Sequence, residues 1–182
     1  MKKRLNPISK LLLCLMAAVF VLCSCNRGGM TDEQAKLELE RLLPLSYEMN
    51  EIFWGKGLDY TDDGSNNRYM AVKSDCGYNS TEEILKKASE IFSEEYLAII
   101  KDAIFTDSDD IDPRYIDVGG TLRADKYNEG FNIQGNIKLD SVKVKRAYSD
   151  TVIIKAEYAD GGTTELTIVL QDGAWYLNGP TY

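Results

Sequence analysis

Residues 151–170 read TVIIKAEYADGGTTELTIVL, two runs rich in β-branched residues on either side of Asp160-Gly161-Gly162. Valine, isoleucine and threonine favour the pleated strand, and the Asp-Gly-Gly step supplies the positive φ of a tight connection. The stretch therefore predicts a β-hairpin with strands at 151–158 and 163–170. Working outward, Asp172-Gly173 predicts another turn, leading into a strand at 174–177. On the other side, residues 141–148 alternate, with Val142, Val144 and Tyr148 separated by Lys143, Lys145 and Ala147. Two shorter strands are predicted at 114–118 and 121–126 around Gly119-Gly120. The C-terminal half thus reads as an antiparallel meander.

The residues before it change period. Thr31 followed by Gln34 has the spacing of a capping box, and Asp32 and Glu33 suit a helix N-terminus. An apolar stripe through Leu37, Leu39, Leu42 and Leu43 continues past Pro44, a candidate kink, to Leu45, Met49, Ile52 and Phe53. Gly55 and Gly57 predict its end. A polar loop at 59–67 and a short strand at 69–73 follow. Ser80 with Glu83 predicts a second capped helix using Ile84, Leu85, Ala88, Ile91 and Phe92. Ser93 predicts the cap of a third, using Tyr96, Leu97, Ile99, Ile100, Ala103 and Ile104. Helices first and strands afterwards make the fold class α+β: N-terminal helices packed on a curved antiparallel β-sheet.

The first 30 residues read differently from the rest. A basic stretch, residues 1–10, precedes twelve unbroken apolar residues, LLLCLMAAVFVL at 11–22. A spanning helix needs about 20 apolar residues, so this run is the length of a signal-peptide core. Leu22-Cys23-Ser24-Cys25 resembles the bacterial lipobox, with Ser24 as the small residue before the cut and Cys25 as the thiol that accepts the lipid. The expected organisation is a lipoprotein signal peptide at 1–24, a lipidated cysteine and tether at 25–30, and one α+β domain at 31–182. Such a protein is extracytoplasmic and held at the cell membrane by acyl chains.

Cleavage there changes the chemistry of what remains. Four of the 21 basic residues leave with the leader, so 17 face 29 acidic ones, a net charge of −12. That field repels nucleic acid and favours a basic partner. Cys14 and Cys23 also leave, so Cys76 has no partner for an intrachain disulfide. The chain has no histidine. Ser-His-Asp and Cys-His catalysis and His-based zinc sites are thereby excluded.

Two acidic stretches are the candidate binding surfaces: Asp59, Asp62 and Asp63, and Asp107, Asp109, Asp110 and Asp112. Asp59 to Gly64 matches the start of an EF-hand loop, but Met70 stands where the bidentate glutamate belongs. No catalytic residue, metal ligand or cofactor site is assigned. A histidine-free hydrolase would have to draw on carboxylates such as Asp125 and Glu129 near Tyr127. A small-ligand site would draw on Tyr115, Tyr148, Tyr158, Trp175 and Tyr176, residue types that on strands more often form core.

Several longer stretches carry a family resemblance. They are Ile52-Phe53-Trp54, Tyr69-Met70-Ala71-Val72, Ser80-Thr81-Glu82-Glu83-Ile84 and Ile91-Phe92-Ser93-Glu94-Glu95-Tyr96, then residues 113–122 (PRYIDVGGTL) and Trp175-Tyr176-Leu177. In this order they resemble the NTF2-like, cystatin-like cone of small exported proteins, and most nearly the IseA-type DL-endopeptidase inhibitors. The resemblance implies a protein that binds cell-wall hydrolases of the cysteine-peptidase type and occludes their peptidoglycan cleft. The alternatives it leaves are a binder of a small ligand or envelope component, and the histidine-free hydrolase.

Overall fold

The computed structural model describes residues 29–108, 112–131 and 136–182. The leader with Ser24 and Cys25, the first tether residues, and Asp109 and Asp110 lie outside the described residues. The chain runs α1 (Asp32–Phe53), β1 (Tyr69–Ala71), α2 (Thr81–Ala88), α3 (Glu94–Phe105), β2 (Tyr115–Val118), β3 (Thr121–Asp125), β4 (Ile137–Ala147), β5 (Thr151–Tyr158), β6 (Thr163–Gln171) and β7 (Ala174–Leu177). It is an α+β fold with three helices and two antiparallel sheets among these residues.

The expected single sheet divides in two. One sheet has the order β1-β3-β2 and the other is the meander β4-β5-β6-β7. The division follows from what β3 finds. Tyr69 pairs with Asp125 on one side of it and Tyr115 with Ala124 on the other, so both edges of β3 are filled before β4 begins. In the meander the predicted hairpin is in register, with Thr151 opposite Val169 and Glu157 opposite Thr163. β4 starts four residues earlier than the alternation predicts, because its pairing with β5 shifts register twice, between Lys138 and Lys143 and between Val144 and Arg146. Ser141 patches the first irregularity: its hydroxyl donates to the Lys138 carbonyl at 2.6 Å and accepts from the Glu157 N–H at 2.8 Å.

α1 lies across β4 and β7. It buries Ala35, Leu39, Leu42, Leu43, Met49 and Phe53, the three-and-four spacing of one helix face. Leu37, expected on that stripe, is 66% exposed. Its N-terminus carries the predicted capping box. The Thr31 hydroxyl accepts from the Gln34 N–H, and the Gln34 amide oxygen accepts from the Thr31 N–H. Asp32 reaches sideways, accepting the Val144 N–H at 2.7 Å and pairing with Lys143 at 3.1 Å. It thereby covers an edge donor of β4. The helix continues through Pro44, which lies on its exposed face; Glu40, whose carbonyl loses its helical donor there, is exposed too.

One core joins both sheets and all three helices, with Phe53, Phe92, Tyr115, Ile154 and Leu166 among its largest buried side chains. The α2–α3 junction joins the meander directly. Leu177 donates its N–H to the Ile91 carbonyl, and Ser93 donates its own to the Leu177 carbonyl, each at 2.9 Å. Ser80 and Ser93 cap α2 and α3 as predicted. The Glu83 carboxylate, however, accepts from the Asn79 N–H and not from that of the capping Ser80. A polar clasp closes the far side of α1: buried Ser46 and Asn50 both bond the Thr181 hydroxyl, at 2.9 and 2.8 Å.

Candidate functional site

Antiparallel order in the small sheet decides which loops meet. β1 and β2 both begin where β3 ends, at Tyr69, Tyr115 and Asp125. The loops entering β1 and β2 and the loop leaving β3 must therefore emerge at one edge. The C-terminus of α1 arrives there as well, since the Phe131 N–H donates to the Trp54 carbonyl at 2.6 Å. The two acidic stretches, far apart in sequence, lead into strands that flank the same β3.

Their carboxylates are largely engaged. Asp59 pairs with Lys56 at 2.9 Å, and that lysine holds its carboxyl below the usual carboxylate range. Asp62 accepts the Gly64 N–H at 3.0 Å and Asp63 the Ser65 N–H at 2.9 Å, so both close Asx turns. Hydrogen bonding to Ser65 lowers the Asp63 pKa. The EF-hand-like spacing is thus spent on turns, and no group of three possible metal-ligating side chains gathers among the described residues. Asp112 pairs with Arg68, and Asp107 is exposed just after α3. Cys76 ends a 3-10 turn (Ser74–Cys76), with its thiol 3.4 Å from the Asp59 carbonyl.

Beside these loops lies a cleft of about 420 Å³, walled by Leu58, Tyr60, Arg114, Asp125, Lys126 and Asn128 together with Lys56 and Glu129. Three lining cations face two carboxylates in a domain whose other charges are mostly acidic. Asp125 is buried and already held: Arg68 donates to it at 2.8 Å and the Tyr127 N–H at 3.0 Å. Arg114 is only 4% exposed. Its Nη1 donates to Asn128 Oδ1 at 2.9 Å and its Nη2 to the Gly55 carbonyl at 2.5 Å, just past the end of α1. Tyr115, whose pKa burial raises, lies beside it and binds the backbone twice, donating to Ile52 and accepting from Leu58, each at 2.9 Å.

Two glycines let these parts approach. Gly57 has φ +80°, and a Cβ there would lie 2.6 Å from Arg114 Nη2. A Cβ on Gly130 would lie 1.6 Å from the Gly55 oxygen.

The aromatic candidates scatter. Tyr115 is core and touches the cleft, Tyr148 is 55% exposed at the other end of β4, and Tyr158 and Trp175 pack against the core. Tyr176 is half-buried on β7. Asp125 and Glu129 do share the cleft. Arg68, Arg114 and Asn128 were not singled out by sequence reasoning. The one sequence signal was an arginine at the start of a predicted strand.

A second concavity of about 430 Å³, between α2 and α3, is shallow and lined by Leu85, Leu97 and Ala98 with charged edges. No helix among the described residues is long and apolar enough to cross a membrane. Compared with known protein families and with curated proteins, the chain matches none.

Proposed function

We propose that the protein is a lipid-anchored, extracytoplasmic lipoprotein that acts by binding, and that its partner is a cell-wall hydrolase of the DL-endopeptidase type. One observation carries the reading. The tether and the acid-rimmed loops lie at opposite ends of α1. Gly29 packs beside Ala147 at the start of the helix, and the loops gather at its finish. A helix of 22 residues at 1.5 Å per residue separates them by about 33 Å. A domain held through Cys25 would present the Asp59–Asp63 loop, and Asp112 beside Arg68, away from the lipid, toward the wall. A net −12 surface would steer a basic partner there. The NTF2-like cone belongs to this proposal: the two register shifts in β4 supply the bending that a curled sheet needs.

The soluble domain (residues 26–182), added to a panel of NlpC/P60-type hydrolases acting on peptidoglycan, should inhibit at least one. Charge reversal at Asp107 and Asp112 should weaken that inhibition. Absence of both inhibition and co-purification across the panel would remove the hydrolase as partner. Cys25→Ala should leave an unprocessed precursor; a normally processed, membrane-held form would remove the anchor.

A further inference from the structure

The guanidinium of Arg114 is buried and has no carboxylate at ion-pair distance among the described residues. A buried charge of this kind is costly unless something balances it. The C-terminus of α1, whose last turn carries no basic residue, supplies part of the balance through the Gly55 carbonyl. A helix terminus is worth about half an elementary charge, and Asp125, the buried carboxylate of the cleft, is already paired with Arg68. The arginine also has five N–H donors, of which Asn128 Oδ1, Gly55 O and the neighbouring Tyr115 hydroxyl account for three. Asn128, half-buried on the cleft wall, turns its oxygen to Arg114; its NH₂ donors have no acceptor among the described residues.

From this the geometry points to a binding site for a small mono-anionic carboxylate in the cleft. Its oxygens would face the Arg114 guanidinium fork, and the Asn128 amide would supply a further donor. Leu58, Tyr60 and Ala124 form an apolar wall for a short aliphatic tail, and about 420 Å³ is room for a small molecule. The lining selects the charge. Asp125 and Glu129 line the same cleft, so a dianion such as phosphate would meet twice the repulsion from them that a mono-anion does. The site needs neither the lipid nor a hydrolase, so it stands or falls apart from the function proposed above.

The test uses the full chain purified in detergent, with butyrate as probe and butyramide and inorganic phosphate as comparisons. Binding is followed by isothermal titration calorimetry and by side-chain amide NMR signals. Butyrate should bind saturably and shift the Asn128 amide signals, while butyramide and phosphate bind at least tenfold more weakly. Arg114→Lys and Asn128→Ala should each weaken butyrate about tenfold, the loss of one hydrogen bond to a charged group. Asn128→Ala serves if the arginine variant does not fold. No saturable butyrate binding overturns the proposal. So does equal binding of butyramide, tighter binding of phosphate, or an unchanged affinity in Asn128→Ala.

Discussion

The two ends of α1 solve one problem in opposite ways. At the start, the free N–H groups are satisfied by neighbours: Thr31 and Gln34 bond each other's backbone within four residues. At the finish, the Gly55 carbonyl is met by Arg114, which comes from 59 residues away on the other side of α2 and α3. The first end is held by local chemistry and can form when the helix does. The second exists only once β2 and β3 are in place. It is also the end that keeps a polar cleft.

The difference can be attacked most directly at Arg114. Arg114→Met removes two hydrogen bonds from a buried charge and should destabilise the domain by about 3 kcal/mol in urea unfolding. Amide exchange should rise at Gly55 and Phe131 while the first turn of α1 is unaffected. Equal loosening at both ends would break the comparison. Thr31→Ala tests the local end and should cost about 1 kcal/mol, with exchange confined to the first turn.

The smallest effect is in pH. Hydrogen bonding from the Val144 N–H, and secondarily Lys143, holds the Asp32 carboxyl below its ordinary value of 3.8. Below that value the unfolded chain binds more protons at this residue than the folded one, so stability falls with pH there. The contribution is whole above pH 3.8 and drains as pH falls through the lower folded pKa. Asp32→Asn should flatten this part of the acid-unfolding curve. An unchanged curve would show that Asp32 does not tie α1 to β4.

The same contrast explains what could be read from the residues alone. Strands at 151–158 and 174–177 and the caps at Thr31, Ser80 and Ser93 were legible because turn and cap chemistry acts within a few positions. The split into two sheets was not legible. Whether β3 pairs with β1 or with β4 is a competition between partners dozens of residues apart, and alternation in β4 carries no label for its neighbour. Of the site, the acidic stretches were visible as composition, but their meeting at one edge followed only from the β1-β3-β2 order. Arg114 was invisible as a site residue, since its burial is decided by Gly55, Gly57 and Asn128, none of them near it in sequence.

The clasp on Thr181 bears on the order of assembly. Ser46 and Asn50 sit in the second half of a helix synthesised early, and their shared partner arrives 135 and 131 residues later. Ser46 also donates to the Leu43 carbonyl within the helix, whereas Asn50 Nδ2 has Thr181 as its acceptor, so burying that face of α1 without the C-terminus would leave the amide donor unpaired. Contacts so distant in sequence slow folding. The meander, whose strands pair with their immediate neighbours, closes through far shorter loops than this clasp does.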